Sequence, residues 1–140
     1  MPSTTQSPST PDSSVNPHLK NIDRSRYELS YLLRELPSNF HGHSHATPDT
    51  LLIVEAARDH ADNATNTLIH GLEAVGEVLF LAGANDEYEV NARHISSIGS
   101  LISYVANDLQ FLHETKGHLS YALQRHAVAV RAGLNKREGK

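Results

Sequence analysis

Residues 47–82, TPDTLLIVEAARDHADNATNTLIHGLEAVGEVLFLA, decide the fold. Apolar residues recur there at intervals of three or four, which is the spacing of one face of an α-helix. This stripe comprises Leu51, Val54, Ala57, Ala61, Ala64, Leu68, Leu72, Val75, Leu79 and Ala82. Thr47 and Pro48 suit the N-cap and the first position of a helix. We therefore predict one long helix, with low propensity at residues 62–67 that permits a kink.

A second apolar stripe follows a predicted helix end at Gly83, because glycine is common just after a helix. Its members alternate steps of three and four, the heptad pattern of a helix seam: Ile95, Ile98, Ile102, Val105, Leu109 and Leu112. The two stripes predict an antiparallel hairpin of residues 47–82 and 86–115. Apolar residues continue beyond Gly117, where we expect a break because glycine disfavours helix.

Shorter segments flank this hairpin. Residues 1–15 are rich in Ser, Thr and Pro and predict a disordered leader. A first helix is expected to begin at Asn16 and Pro17 and to end before Pro37, and residues 135–140 form a basic tail. The fold class is all-α, a helical bundle with residues 16–134 as one domain. Because a hairpin alone cannot cover both stripes, flanking helices or dimerisation must complete it, and we favour a homodimer.

Charge is distributed unevenly along the chain, whose net charge is -4. Residues 47–115 hold eleven acidic and two basic residues, whereas residues 116–140 hold six basic residues and one acidic residue. The acidic middle disfavours nucleic-acid binding, since phosphate contacts need clustered Lys and Arg. Five carboxylates are expected to gather at the hairpin tip, forming a surface for a basic protein partner: Glu73, Glu77, Asp86, Glu87 and Glu89.

Ten histidines raise the question of a metal site. His41, His43 and His45 alternate along a predicted loop, so that an extended backbone would direct all three imidazoles to one side. Imidazole binds Zn, Ni and Cu, and these three residues are the candidate ligands. A solvated loop with no metal role is the competing interpretation.

The sequence has no strong catalytic motif. It lacks cysteine, which excludes disulfides, thiolate metal sites and cysteine nucleophiles. His113 and His118 are five residues apart, whereas the zinc-protease motif needs four to place both rings on one helical face. No Gly-flanked nucleophile turn or Lys-containing phosphate loop is present. We therefore predict that the protein is not an enzyme and has no resident cofactor.

The leading functional hypothesis is a non-catalytic protein-interaction module: an adaptor, regulator or inhibitor that acts through the acidic hairpin. The first alternative is metal binding by the loop histidines. The second is an exported bacterial effector that carries its signal in the disordered leader. No stretch resembles a cleaved signal peptide or a membrane span, so we expect a cytoplasmic protein, with export by an uncleaved signal as the alternative.

Overall fold

The computed structural model describes residues 16–37, 46–85 and 91–138, with side chains to residue 133. A 3-10 turn at Ile22–Arg24 leads into three α-helices, α1 (Ser25–Glu35), α2 (Pro48–Gly83) and α3 (Ala92–Glu138). No strand occurs within these ranges. The all-α class is confirmed, with α2 packing against α3 as the long hairpin and α1 packing against α2.

Helix α2 begins where the sequence predicts. The Thr47 hydroxyl oxygen accepts a hydrogen bond from the Thr50 backbone N–H at 3.1 Å, and Pro48 occupies the first turn. The helix also continues unbroken through the weak segment at residues 62–67. Two threonine hydroxyls there donate to carbonyls four residues earlier, Thr65 to Ala61 at 2.8 Å and Thr67 to Asn63 at 2.9 Å. These side chains therefore bond to the helix they belong to, instead of diverting its backbone.

The predicted break at Gly117 is wrong, since α3 is one helix of 47 residues. Leu112 and Leu119 are both buried on either side of the glycine, and Lys116 forms an ion pair with Asp62 of α2. This packing outweighs the cost of about 1 kcal/mol for an internal glycine. The backbone of α3 remains helical as far as Glu138, into the stretch predicted as a tail.

The predicted start of the first helix at Asn16 is also wrong, because α1 begins at Ser25. The Asn16 amide donates instead to the Leu52 carbonyl at 2.7 Å, and its oxygen accepts the His18 N–H at 3.0 Å. Asn21 then adopts a left-handed backbone with φ 48°, which asparagine tolerates better than most residues. These contacts hold residues 16–21 against α2 as an irregular segment. The chain then reverses direction into α1.

The expected start of the second hairpin helix at Asp86 lies outside the described residues. Within them, α3 begins at Ala92, after Asn91. The Asn91 side-chain oxygen accepts the Arg93 N–H at 2.9 Å, as an N-cap residue does.

The hydrophobic core occupies only one end of the hairpin. It joins α1 to the first half of α2 and the middle of α3, and its buried apolar members are Leu29, Leu32, Ile53, Val54, Ala56, Ala57, Ala61, Ala64, Leu112 and Leu119. We call residues 48–66 of α2 and 106–123 of α3 the proximal half, and residues 67–83 of α2 and 92–105 of α3 the distal half. Residues 124–138 of α3 are the C-terminal arm.

The predicted seam of α3 is only partly buried. Leu112 is fully buried, but Ile95 and Ile102 in the distal half are exposed by 57% and 40%. The stripe of α2 shows the same change, from buried Val54, Ala57 and Ala61 to half-buried positions after Ala64. The reason is that no third helix packs on the distal half among the described residues.

Candidate functional site

Two of the five predicted partner-binding carboxylates lie within the described residues. Glu73 and Glu77 are exposed on the distal half of α2, one turn apart and therefore on the same side of the helix. The Glu73 carboxylate lies 3.0 Å from His70 Nδ1 at the surface. Asp86, Glu87 and Glu89 fall outside the described residues, so the five-membered acidic tip stays a prediction.

The candidate metal ligands His41, His43 and His45 also lie outside the described residues. Among the residues that are described, no group of three or more His, Cys, Asp or Glu side chains could hold a metal ion. Zn, Ni or Cu binding by the loop therefore stays a prediction. The same holds for an export role of the leader, residues 1–15.

The distal half carries large apolar side chains in contact with solvent. Val78 is exposed by 65%, Phe80 by 75% and Tyr104 by 70%, whereas Leu112 in the proximal half is not exposed at all. The other exposed apolar residues of this half are Ile69, Leu81, Ile95, Leu101 and Ile102. Large apolar side chains exposed in this number mark the distal half as a candidate interaction site.

An open apolar groove runs between the two helices in this half. Its volume is about 210 Å³, and its lining comprises Thr67, Leu68, Gly71, Leu72, Val75, Leu101, Ile102 and Val105. A Cβ placed on Gly71 would meet no atom within 4 Å beyond its own helix, so the groove has free space at its floor. The groove can therefore accept apolar side chains from outside.

This groove continues the face of α2 on which α1 packs. His60 and Asn63 contact Ser25 of α1, and steps of three and four residues lead from them to further positions on the same side of α2. Those positions in the distal half are Thr67, Gly71, Ala74, Val78 and Leu81. In the proximal half α1 covers this face, whereas in the distal half no described residue covers it.

A polar cluster marks the point where α1 begins and this cover stops. The Ser25 hydroxyl donates to the Ile22 carbonyl at 2.5 Å and accepts from the Asn63 amide at 2.8 Å. Because its only hydrogen is used, the 3.1 Å contact with His60 requires Nδ1 of the ring to donate. In the neutral ring the proton is then on Nδ1, and the buried Nε2 has no hydrogen-bond partner among the described residues.

Burial lowers the pKa of His60, although the negative charges of Glu28 and Asp59 oppose this shift. No pattern in the sequence indicated the role of this residue, because any of ten histidines could face the core. The arrangement does not activate a nucleophile either. A catalytic serine needs a base that accepts its proton, whereas here the serine proton is held by a backbone carbonyl.

An ion pair links α1 to α3 beside this cluster. The Arg26 guanidinium donates to the Asp108 carboxylate at 3.0 Å and 3.1 Å and lies 4.6 Å above the Phe111 ring. Arg26 and Asp108 also line a second cavity of about 400 Å³ at the start of α1, whose lining includes Ile22, Tyr27 and Asn63.

No protein-family model, no curated protein and no solved structure matches the chain. Among the described residues, no helix has the length and apolar character needed to cross a membrane.

Proposed function

We propose that the protein is a non-catalytic protein-interaction module, an adaptor, regulator or inhibitor, which binds a partner with a basic surface through the distal half of the hairpin. One observation carries this proposal. The half of the hairpin on which no third helix packs among the described residues exposes large apolar side chains, of which Ile69, Phe80 and Leu81 lie one helical turn from Glu73 or Glu77. An apolar centre with a charged rim is the usual anatomy of a protein interface.

The apolar residues supply affinity in this proposal. Burying a large apolar side chain stabilises a complex by about 1.5–3 kcal/mol before the costs of association are subtracted. Val78, Leu81, Leu101 and Tyr104 are all more than half exposed, so each has surface left to bury. A partner helix with apolar residues at intervals of three and four would fit the groove between α2 and α3.

In this proposal the two carboxylates favour basic partners over acidic ones and speed their association. Glu73 and Glu77 are exposed one helical turn from the exposed apolar residues Ile69, Phe80 and Leu81, and exposed charges steer encounter more than they add to affinity. A basic partner would be attracted, and an acidic partner would be repelled. We therefore expect binding to weaken as salt is raised, because exposed charges are screened over about 10 Å at 0.1 M ionic strength.

The test is a quantitative pull-down from host lysate with tagged wild type and a Glu73→Lys/Glu77→Lys variant. The matched control is Glu55→Lys/Glu114→Lys, which makes the same change in net charge at exposed sites of the proximal half. We expect a stoichiometric partner to bind wild type and the control but not the distal variant. Circular dichroism and thermal melting of all three proteins establish that they are equally folded.

Three results would contradict the proposal. The first is the absence of any stoichiometric partner, the tagged chain's own untagged copy included. The second is equal loss of the partner from the distal and the control variants, which would show that only overall charge matters. The third is a partner that still binds the distal variant, which would place the binding surface elsewhere on the molecule.

A further inference from the structure

One surface of the distal half continues the face of the hairpin on which α1 packs. In the proximal half, His60 and Asn63 of α2 and Asp108 and Phe111 of α3 contact the start of α1. Steps of three and four residues lead from these contacts to exposed positions of the distal half. We call these positions the open face: Thr67, Gly71, Ala74, Val78 and Leu81 on α2, and His94, Ser97, Leu101 and Tyr104 on α3.

The open face carries no Asp, Glu, Lys or Arg side chain. Glu73 and Glu77 lie about 160° and 120° around α2 from Gly71. The charges that border the face are at its two ends: Arg93 at the start of α3, and the ion pair that links α1 to α3. An uncharged apolar face does not repel a copy of itself, and it has nothing that attracts a charged partner. Its chemistry therefore favours an occupant of the same kind.

The start of α1 limits how a second hairpin can lie on this face. Ser25 is held beside His60 and Asn63, so residues 67–83 of α2, about 25 Å, extend beyond α1. A parallel second hairpin would place its proximal half in the space that α1 occupies. An antiparallel one covers the free length with its own distal half, and each hairpin then ends beside the start of α1 of the other copy. The free length is therefore complementary to itself.

The side chains of α2 on the open face also match in this arrangement. Gly71 and Val78 are two turns apart, so they lie on the same side of the helix. A Cβ on Gly71 would meet no atom within 4 Å, whereas the Val78 side chain is 65% exposed. A two-fold axis midway between these residues places Val78 of each copy over Gly71 of the other.

The same axis brings large side chains of α3 together. Lys116 pairs with Asp62, so the midpoint of residues 71 and 78 is level with about residue 103 of the antiparallel α3. The midpoint between Leu101 and Tyr104 falls within about one residue of this level. Both side chains are more than half exposed, and Leu101 of one copy would face Tyr104 of the other.

We propose that a second copy of this chain binds antiparallel on the open face, so that the two distal halves form a four-helix bundle. The result is a closed two-fold dimer with two identical sets of contacts. A face of about 25 Å by 20 Å on each copy gives about 1,000 Å² in total, the lower limit for a specific interface. We therefore expect dissociation at concentrations on the order of micromolar.

This inference goes beyond the proposed function and does not depend on it. Glu73 and Glu77 are on other sides of α2 and stay exposed in the dimer, where a basic partner can still reach them.

The first test is sedimentation equilibrium of the full chain from nanomolar to high micromolar concentration. Wild type is expected to pass from monomer to dimer. Gly71→Val sets a valine against Val78 of the other copy and should weaken the dimer on the order of tenfold or more. Gly76→Val is the matched control, about 140° around α2 from Gly71, where a Cβ also meets nothing. A wild type that is monomeric throughout overturns the inference.

Both variants should fold, because valine favours helix more than glycine does, and circular dichroism checks this. Adding Val78→Ala to Gly71→Val exchanges the large and the small side chain, so that the new valine meets the new alanine and most of the lost affinity should return. Adding Phe80→Ala instead should not restore it, since Phe80 lies about 200° around α2 from Val78. A Gly71→Val/Val78→Ala dimer as weak as that of Gly71→Val overturns the proposed contact.

Cysteine cross-linking tests the register, because the chain has no cysteine of its own. Residues 71 and 78 are about 10 Å apart along α2, so Gly71→Cys and Val78→Cys should each cross-link slowly with itself. An equal mixture of the two variants should form the mixed disulfide dimer on the order of tenfold faster, since the two positions then face each other. Equal rates for the mixture and the single variants overturn the antiparallel register.

The two proposals fail separately. A monomeric wild type with a basic partner in the pull-down would overturn the dimer and leave the proposed function intact. A dimer that Glu73→Lys/Glu77→Lys leaves unchanged, with no further partner in the lysate, would support the dimer and contradict the proposed function.

Discussion

The two halves of the hairpin are built from the same two helices with the same apolar spacing, yet only one half forms a core. In the proximal half, α1 packs against alanine-rich α2, and buried residues such as Leu29, Ala57 and Leu112 come from all three helices. In the distal half α2 and α3 are the only helices among the described residues that meet, and Val78, Leu81 and Leu101 remain more than half exposed. Apolar periodicity therefore indicates which faces are apolar, but not how many helices share them.

The length of α1 sets the boundary between the halves. Its 11 residues span about 16 Å, whereas the 36 residues of α2 span about 54 Å. One short helix can therefore cover less than a third of its partner. Stability should concentrate under α1, and the remaining apolar surface should be available for binding.

The largest expected difference between the halves comes from truncating one leucine of α3 in each half. Leu112→Ala should lower the free energy of unfolding by about 2–5 kcal/mol, because it leaves a cavity in the core. Leu101→Ala should cost less than about 1 kcal/mol, since the Leu101 side chain is half exposed. Urea denaturation followed by circular dichroism at low protein concentration measures both. Equal losses would show that the halves do not differ in packing.

Replacing an alanine by the larger leucine in each half of α2 tests the same difference in packing, by overfilling the core instead of leaving a cavity. Ala57→Leu should destabilise by about 1–3 kcal/mol, because the residue is fully buried where the helices pack closely. Ala74→Leu, at an exposed position of the distal half, should be neutral or slightly stabilising. If thermal melting showed both variants to be equally tolerated, close packing under α1 would be refuted.

The buried histidine should make the stability of the proximal half depend on pH. Because burial lowers the pKa of His60 in the folded protein, the unfolded chain binds a proton first as pH falls below its ordinary value of about 6.5. The contribution of this residue to stability should therefore be complete above that pH and decline below it. Denaturation at about pH 7 and about pH 5 should show a smaller decline for His60→Gln than for wild type.

His113→Gln is the matched control for this experiment, since His113 is exposed on α3. It should retain the decline of wild type. A decline of equal size in the wild type and both variants would mean that other groups cause the acid sensitivity.

The smallest effect concerns Gly117, where the sequence suggested a break. In the continuous helix, Gly117→Ala should stabilise by about 0.5–1 kcal/mol, because its Cβ meets no atom and the unfolded chain loses freedom. Destabilisation on thermal melting would instead indicate a left-handed turn at this residue. Gly133→Ala, with equally open surroundings on the arm, should gain no more, since helix ends contribute less to folding.

Local signals in the sequence predict much of the fold. Thr47 and Pro48 fix the start of α2 through cap chemistry that involves only neighbouring residues, and the stripe of Val54, Ala57 and Ala61 correctly predicts its buried face. The wrong predictions arise where residues distant in the sequence determine the local structure. Asn16 satisfies a carbonyl of α2 instead of capping a helix, and the packing of Leu112 and Leu119 carries α3 through Gly117.

The candidate site was less accessible to prediction for the same reason. Exposed Glu73 and Glu77 follow from sequence spacing alone. The exposed groove depends on how far α1, which begins at Ser25 beside His60 and Asn63, extends over α2, and the sequence does not state this. The apolar residues outside the main stripe, Val78, Phe80 and Leu81, were the available signal, because a helix covered on one side does not need them.

The polar cluster at the start of α1 also fixes the position of α1 along α2. An alanine-rich surface is nearly smooth, so apolar burial alone would favour several positions of α1 along α2 almost equally. Sliding α1 by one turn moves Ser25 by about 5.4 Å, which separates it from His60 and from Asn63 at once. Each displaced position would leave buried polar groups unpaired. A serine, an asparagine and a histidine thereby give the helix pair a unique register, which its hydrophobic contacts could not specify.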